Sequence, residues 1–410
     1  MLLHQRPHPR DLIERSRRRS KLEDFGDWPF QEGMQVFLRA CLEEAELSLF
    51  GHLGTRWDVS RLLGNLLRIR AEEERVPEIL DERIERPIFI TGLPRSGTTF
   101  LHQLMAADPA NQVPRVWRLI HPYPPPGRSD RRRQRVARQL RMFQFLSPQF
   151  AKMHPIGAES PQECSEITAH IFSSPRFDTT YSVPSYRQWF DANRQLDAFR
   201  FHKRFLQHLQ YSAGSSSGPW VLKCPDHVFA LNEIRAVYPD ARFVFVHRDP
   251  VQVIVSVAHL TEVLRRPFTK HIDRGALGRN EVERWSKGAD LMIRAADTEP
   301  FAEPICHIHY RELVGDPIRT MQKIYRHFAL PVDSEVFACL DRTSVTNANG
   351  GYGANRYEFS TYQLDPAATR ARFADYAERF GTSPELKSAS RAHASVPNRY
   401  SDRLLPDPAD

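Results

Sequence analysis

The apolar positions along the chain follow two different patterns that meet near residue 86. Before that point they recur every three or four residues, which is typical of amphipathic helices; one such series is Phe30, Met34, Phe37, Leu38, Cys41 and Leu42. A first helix is predicted to begin near Pro29 with Asp27 as its cap, and a second is predicted to end before Pro77. Residues 1–86 are therefore predicted to form a helical N-terminal cap.

From residue 87 onward, short apolar runs alternate with segments of helix length. The runs lack polar alternation, as expected of parallel strands buried on both faces; they are Pro87–Thr91, Trp220–Lys223, Arg242–His247 and Ile305–Tyr310. This alternation predicts an α/β fold with a doubly wound parallel sheet flanked by helices. The α/β domain is predicted over residues 87–385, with a helical insertion over 110–219 and a C-terminal tail over 386–410.

The composition is that of an ordinary globular chain with a mild basic excess. Of the 410 residues, 41% are hydrophobic and 26% are charged, which argues against general disorder. No apolar run approaches the ~18 residues of a membrane span, and the basic segment 1–19 lacks the apolar core of a secretory signal. The formal net charge of +7 suits an anionic ligand better than a nucleic acid.

Cysteine spacing predicts neither a zinc site nor a disulfide framework. The cysteines are few and scattered, which indicates reduced thiols in a cytoplasmic chain without a metal site; they are Cys41, Cys164, Cys224, Cys306 and Cys339.

An arginine-rich run occupies residues 128–141. A solvated basic helix is the simpler interpretation, and attraction of an acidic acceptor is the alternative. A nucleic-acid surface would need interleaved aromatic residues, which this run lacks.

The segment Gly92–Thr99 joins the first strand to a helix and reads Gly-Leu-Pro-Arg-Ser-Gly-Thr-Thr. A buried strand that turns into a helix N-terminus presents backbone N–H groups to an anion, so the sheet is predicted to be P-loop-like. Thr98 stands where the GxxxxGK[ST] loop of nucleoside triphosphatases has lysine, which argues against an ordinary ATPase or kinase. The predicted phosphate ligands are Arg95, Ser96, Gly97, Thr98 and Thr99.

Two further strands end in basic residues. Lys223 closes the second strand and His227 follows it, while Arg248 follows the third strand and Ser256 lies eight residues later. Because ligands of open α/β sheets bind outside the carboxyl ends of the strands, we expect Lys223 and His227 to face the phosphate loop. Arg248 and Ser256 together suit a second phosphate.

These motifs resemble the sulfotransferases that use 3′-phosphoadenosine 5′-phosphosulfate (PAPS). The Gly92–Thr99 segment is similar to the family's 5′-phosphosulfate loop, with Arg95 at its basic position, and the Arg248…Ser256 spacing is similar to its 3′-phosphate motif. The bacterial branch with a helical N-terminal extension is the most similar, on the landmarks Asp24–Asp27, Pro161–Cys164 and Asn355–Ser360.

The resemblance implies transfer of a sulfuryl group from PAPS to a hydroxyl acceptor (a small-molecule alcohol, a phenol, a lipid or a glycan) without a metal. It also implies that Tyr310 lies near the adenine and that Phe100 stacks on it. A small-molecule kinase and a non-catalytic nucleotide-binding protein stay as alternatives, and homo-oligomerisation stays open. The aromatic residues of the insertion would either line an acceptor pocket or form core; they are Phe143, Phe145, Phe150, Phe172, Phe177, Tyr181, Tyr186 and Trp189.

Two departures from the family leave roles open. The C-terminal Arg-Lys-Gly clamp of the cytosolic steroid and phenol sulfotransferases is absent, and Arg356 is one candidate to complete the 3′-phosphate site. Lys223 and His227 are spaced Lys-x-x-x-His rather than Lys-x-His. His227 is the preferred general base, with Glu163 and Glu166 as rivals. Arg95 and Lys223 are predicted to neutralise the charge on the leaving phosphate.

Overall fold

The computed structural model describes residues 9–124, 129–149, 156–193, 195–214, 218–297, 301–331 and 358–382. Their sheet has four strands, all parallel, in the order β2-β1-β3-β4; these are β1 (Ile88–Gly92), β2 (Val221–Lys223), β3 (Arg242–His247) and β4 (Cys306–His309). After β1, the chain forms β2 at one edge of β1 and then returns to form β3 at the other edge. The predicted strands and the predicted α/β fold are confirmed.

Helices pack on both faces of this sheet. In chain order they are α1 (Pro9–Ser20), α2 (Phe30–Glu43), α3 (Leu49–Arg75), α4 (Thr98–Ala107), α5 (Val116–Ile120), α6 (Arg132–Leu146), α7 (Ser165–Thr168), α8 (Arg176–Thr180), α9 (Pro184–Ala192), α10 (Leu196–Tyr211), α11 (Leu231–Val237), α12 (Pro250–Arg265), α13 (Arg274–Asp297), α14 (Tyr310–Gly315), α15 (Pro317–His327), α16 (Pro366–Arg372) and α17 (Ala374–Arg379). Short 3₁₀ helices cover Pro77–Asp81, Ala169–Ile171, Pro225–Ala230 and Phe359–Tyr362. Within the described ranges, no helix is both long and apolar enough to cross a membrane.

Capping residues and prolines explain where the N-terminal helices begin and end. The Ser48 hydroxyl accepts a hydrogen bond from the Gly51 amide at 3.0 Å and caps α3, which ends before Pro77 as predicted. Helix α2 begins at Phe30, with Pro29 at its N-cap position and no side-chain cap. The prediction of an Asp27 cap is therefore wrong, because a capping side chain must come from the residue immediately before the helix.

Both faces of the sheet are buried, so its strands carry apolar residues at successive positions. Phe89, Phe243 and Phe245 belong to a large cluster that also includes the N-terminal helices and the insertion. Ile90 and Val244 point to the opposite face, where α4 and α15 cover them.

The N-terminal cap and the insertion share one core with the sheet. The Phe37 ring of α2 lies 4.3 Å from the Phe177 ring of the insertion, centroid to centroid. Several aromatic residues of the insertion are buried in this core, namely Phe172, Phe177, Tyr181 and Tyr186. Phe145 is instead 83% exposed, and Phe150 lies outside the described residues. Tight packing of the two helical regions positions the insertion over the carboxyl ends of the strands.

Several histidines are buried in uncharged form within this core, and we expect them to make the fold sensitive to acid. Burial lowers the pKa of His102, His170 and His202 to about 3 each, against about 6.5 in an unfolded chain. Below pH 6.5 the unfolded chain therefore binds protons that the folded chain cannot, so the free energy of unfolding falls with the pH until about pH 3. Between pH 7.5 and 5.5 each of these histidines should lower the free energy of unfolding by about 1.4 kcal/mol. Urea denaturation at the two pH values measures this loss.

A single substitution checks the cause of this acid sensitivity. The His102→Gln variant removes one of the titrating groups, so its loss of unfolding free energy between pH 7.5 and 5.5 should be smaller than that of the unaltered chain. The exposed His52 provides the control, since His52→Gln should keep the full loss. An unaltered chain equally stable at both pH values would contradict the account.

Candidate active site

The loop between β1 and α4 is shaped by two glycines that no other residue can replace. Gly92 has φ +148°, and a Cβ atom there would lie 2.3 Å from the Val246 carbonyl oxygen. Gly97 occupies the N-cap position of α4 with φ +99°, in the left-handed region, and a Cβ there would lie 3.0 Å from the Tyr310 ring. The backbone can therefore curl at the carboxyl end of β1 only because both positions lack a side chain.

This loop has the features of an anion site. The first N–H groups of α4, from Thr98 onward, have no acceptor within the helix and lie at the positive end of its dipole. Ser96 is fully buried in the loop, and its hydroxyl oxygen meets no hydrogen-bond partner among the described residues. A buried polar atom without a hydrogen-bond partner lowers the stability of the fold unless a ligand supplies that hydrogen bond. The loop therefore fits a phosphate or phosphosulfate group.

A second group of polar side chains lies directly beside the loop. Asp249 caps α12 by accepting a hydrogen bond from the Val251 amide at 3.0 Å, and this helix places the Ser256 hydroxyl 3.2 Å from Arg95 Nε. Arg248 donates to the Arg95 carbonyl oxygen at 2.7 Å, and its guanidinium carbon lies 4.0 Å from the centre of the Tyr310 ring. The structure thus brings the predicted 3′-phosphate residues, the predicted adenine contact and the phosphate loop together.

Lys223 connects the loop to the insertion. Its ammonium donates to the Thr99 hydroxyl at 3.2 Å and to Glu163 Oε1 at 2.5 Å. The lysine side chain is 3% exposed and the glutamate side chain 30%, so the carboxylate stays accessible from the cavity described below. One buried ammonium therefore stands between the phosphate loop and a carboxylate.

Glu163 reaches this position because the insertion is anchored to the end of β2. The Cys164 amide donates to the Lys223 carbonyl oxygen at 3.0 Å, and the Gln162 amide donates to the Pro114 carbonyl oxygen at 2.8 Å. These backbone bonds hold the residue between them over the strand end. Glu166, the other rival base, pairs with Arg61 at 2.6 Å and Arg176 at 3.2 Å, and its side chain is 8% exposed.

His227 does not face the loop, contrary to the expectation from the sequence. It lies in the 3₁₀ helix that follows β2, which turns its ring into the core, 5.1 Å from the Phe89 ring and 6.1 Å from the Phe199 ring. Only 2% of the residue is exposed. Burial, followed by the nearby His202 and Lys223, holds the pKa of His227 well below its usual range.

The remaining predicted site residues fall in different surroundings. Thr98 is buried at the first position of α4. Phe100 packs in the core with Leu313 and is 5% exposed, so little of its ring is available to stack on adenine. Arg356 lies outside the described residues.

A cavity of about 290 Å³ opens beside the loop and Glu163. Pro94 of the loop forms one wall, and α12 and α13 contribute Leu260 and Trp285 to another. Nine of the lining side chains are charged: Glu163, Glu166, Arg176, Asp178, Arg187, Asp226, Arg265, Glu281 and Arg284. An acceptor that reaches the Glu163 carboxylate therefore meets both charged and apolar side chains.

Several of these lining residues carried no signal in the sequence. Arg284 of α13 pairs with Asp226, beyond β2, and Arg176 of α8 pairs with Asp58 of α3 at 2.7 Å. Each partner is far away along the chain, so only the tertiary fold reveals the pair.

Comparisons with known proteins agree with this geometry. The sulfotransferase family matches residues 87–334, more than half of the chain. The ω-hydroxy-β-dihydromenaquinone-9 sulfotransferase Stf3 of Mycobacterium bovis is 23% identical over 323 residues, which are 76% of this chain and 79% of that protein.

Two solved structures share the fold. The sulfotransferase STF1 of Mycobacterium tuberculosis H37Rv is 28% identical, with a TM-score of 0.78 over 89% of this chain and 98% of its own. The sulfotransferase STF9 of Mycobacterium avium is 25% identical, with a TM-score of 0.82 over 92% and 97%. The chain belongs to the sulfotransferase family.

Proposed function

We propose that this chain transfers a sulfuryl group from PAPS to a hydroxyl acceptor, with Glu163 as the general base. The observation that carries the proposal is the position of Lys223, whose ammonium contacts both the Thr99 hydroxyl of the phosphate loop and the Glu163 carboxylate. A donor phosphosulfate in the loop and an acceptor hydroxyl at the carboxylate would meet at this ammonium.

The donor site is assigned to two neighbouring groups of residues. The loop backbone, with the unpartnered Ser96 hydroxyl, suits the 5′-phosphosulfate. Arg248 and Ser256 suit the 3′-phosphate, since a guanidinium and a hydroxyl both donate to phosphate oxygens. Tyr310 stacks under Arg248 at the same place and is assigned to the adenine end.

PAPS supplies a sulfuryl group that is bonded to its 5′-phosphate, which is a good leaving group. As the acceptor oxygen forms its bond to sulfur, the Glu163 carboxylate takes the hydroxyl proton. The bond between sulfur and the bridging oxygen breaks, and its electron pair stays on the 5′-phosphate. Lys223, Arg95 and the N–H groups of α4 neutralise that charge. No metal is proposed for this role.

His227 is not assigned to the proton transfer. Its buried ring packs against Phe89, and its lowered pKa describes a neutral imidazole held in the core. We propose that it supports the strand end that presents Lys223.

The acceptor is proposed to be a hydroxylated lipid. The cavity surrounds Glu163 with charged side chains, which suit the polar, hydroxyl-bearing end of an acceptor. Ile156, Leu260 and Leu264 form an apolar part of the same lining, which suits a hydrocarbon portion. The name of the related Stf3 protein gives that enzyme a hydroxylated quinone lipid as its acceptor. The cytoplasmic location is proposed on the cysteines, since Cys41, Cys164, Cys224 and Cys306 are free and buried.

Nucleotide binding tests the donor assignment. Adenosine 3′,5′-bisphosphate should raise the melting temperature by several degrees at saturating concentration, because a ligand that binds only the folded state stabilises it by mass action. ATP should raise it far less, since it lacks a 3′-phosphate. Equal stabilisation by ATP would contradict the proposal and favour a small-molecule kinase.

Replacing Arg248 should separate the two phosphate sites. The Arg248→Ala variant loses a charge-assisted contact and should bind adenosine 3′,5′-bisphosphate about 1.5–3 kcal/mol more weakly. Its affinity for adenosine 5′-phosphosulfate, which has no 3′-phosphate, should barely change. Calorimetric titration of both ligands measures this, and equal weakening would assign Arg248 a structural role.

A further inference from the structure

A long hollow surface lies on the outside of the molecule between α1, α3 and α6. Two adjoining hollows form it, of about 620 Å³ and 500 Å³, and they share Gly64, Asn65, His121 and Arg135 in their linings. We call this surface the basic groove. It is separate from the cavity beside Glu163.

The basic groove carries a concentrated positive charge. Arginines from three helices line it, and six of them are Arg15, Arg19, Arg56, Arg68, Arg135 and Arg138. No carboxylate lines either hollow, and in the described part of the chain none of these six pairs with an acidic side chain within 4.0 Å. Of the other arginines in the lining, Arg61 pairs with Asp58 and Glu166, and Arg132 pairs with Asp130. Such a surface is open to an anionic partner.

Large apolar side chains are exposed along α3 and α6. On α3, Leu49, Leu53 and Trp57 recur every four residues and are 60%, 52% and 47% exposed, and the last two also line the groove. On α6, Met142 and Phe145 are 61% and 83% exposed. Exposed apolar residues that cluster beside a charged surface mark an interaction site.

Helix α6 combines both features in one stripe. Arg131 at the N-cap position and Arg135, Arg138, Met142 and Phe145 within the helix follow one another at spacings of four, three, four and three residues. They therefore share one exposed face.

The opposite side of α6 leads toward the acceptor cavity. Its Phe143 packs against the buried Val263, as do Ile156 and Leu264, two residues that line the cavity beside Glu163. A surface that engages the exposed stripe would therefore lie close to the cavity.

We propose that the basic groove and the flanking apolar residues of α3 and α6 dock this protein on the surface of an anionic phospholipid bilayer. The arginines meet lipid phosphates, and Leu53, Met142 and Phe145 insert among the acyl chains just below the headgroups. Docking there places the acceptor cavity beside the bilayer, which suits an acceptor that resides in lipid.

Charge and hydrophobicity together favour a bilayer over other occupants. A second copy of the chain would bring the same arginines against each other in a symmetric contact, and this repulsion opposes dimerisation. A nucleic acid would pair with the arginines but would leave Leu49, Met142 and Phe145 in water. Only a bilayer offers phosphates and hydrocarbon in adjacent layers.

Vesicle co-sedimentation of the full chain tests the proposal without reference to the donor. The chain should bind vesicles of phosphatidylcholine with phosphatidylglycerol and bind phosphatidylcholine vesicles weakly. The Arg135→Gln/Arg138→Gln variant should lower the partition coefficient about 30-fold, since each basic residue near an anionic surface contributes about 1 kcal/mol. The Met142→Ser/Phe145→Ser variant should lower it about tenfold or more.

The matched control removes two exposed arginines from the opposite side of the sheet. The Arg319→Gln/Arg326→Gln variant changes α15 and should keep the binding of the unaltered chain. Retained melting temperatures would show that all variants fold. The proposal would be overturned if the chain bound both vesicle types equally, or if the control variant lost as much binding as the groove variants. It would also be overturned if the chain bound a single-stranded oligonucleotide but no vesicles.

Discussion

The Glu163→Gln variant is expected to lose turnover by about 10²–10⁴-fold, the usual contribution of a general base, while its affinity for adenosine 3′,5′-bisphosphate changes little. The amide keeps the size of the side chain and a hydrogen-bond acceptor but cannot take the proton of the acceptor hydroxyl. Single-turnover transfer from labelled PAPS measures the loss. The acceptor would be the first of a panel of alcohols, phenols and hydroxylated isoprenoid quinones that the unaltered chain sulfates.

Two control variants separate a base from a structural residue. Glu159 lies near Glu163 in the chain and pairs with Arg133 at 2.6 Å on the surface, so Glu159→Gln should keep its turnover. His227→Gln should lose stability, because it changes a buried ring, and should keep most of the single-turnover rate of the folded fraction. A nearly normal rate in Glu163→Gln with a dead His227→Gln would return the role of base to the histidine.

The Lys223→Ala variant is expected to lose both turnover and donor affinity. The ammonium meets phosphate charge before the reaction as well as during it, so its removal should weaken donor binding by about 1.5–3 kcal/mol. It should also lower turnover by about 10²–10³-fold, as the loss of one preorganised electrostatic donor does. Titration with adenosine 3′,5′-bisphosphate and single-turnover kinetics measure the two losses separately.

A surface lysine supplies the comparison. Lys287 pairs with Glu283 at 2.8 Å on the exposed side of α13, and Lys287→Ala should change neither quantity, because exposed ion pairs contribute little. Unchanged donor affinity in Lys223→Ala would show that its ammonium does not reach the donor, and the proposed site would be wrong at that residue.

The sequence predicted the features that depend on local pattern. The strands were recognisable because burial on both faces removes polar alternation, as in the stretch from Phe243 to Val246. The phosphate loop was recognisable because Gly92 and Gly97 sit where the backbone needs positive φ. The spacing of Arg248 and Ser256 predicted a second phosphate site, and in the structure both side chains contact Arg95 of that loop.

The features that depend on tertiary contacts were not predicted. Whether His227 or Glu163 meets Lys223 depends on a 3₁₀ helix that turns one ring inward and on the Cys164 amide, which anchors the insertion to β2. Neither the 3₁₀ helix nor this backbone hydrogen bond can be recognised from the spacing of residues in the sequence. The prediction that the arginine run forms a basic helix is confirmed over Arg132–Leu146. The groove that α6 forms with α3 requires packing between segments about 70 residues apart in the chain.

A crystal structure of the chain with adenosine 3′,5′-bisphosphate would show where the two phosphates bind. The 5′-phosphate should lie within about 3 Å of the N–H groups of Gly97, Thr98 and Thr99, with the Lys223 ammonium beside it. The 3′-phosphate should contact Arg248 and Ser256. A nucleotide bound with its phosphates exchanged between the two sites, or away from the Gly92–Thr99 loop altogether, would contradict the proposed donor site.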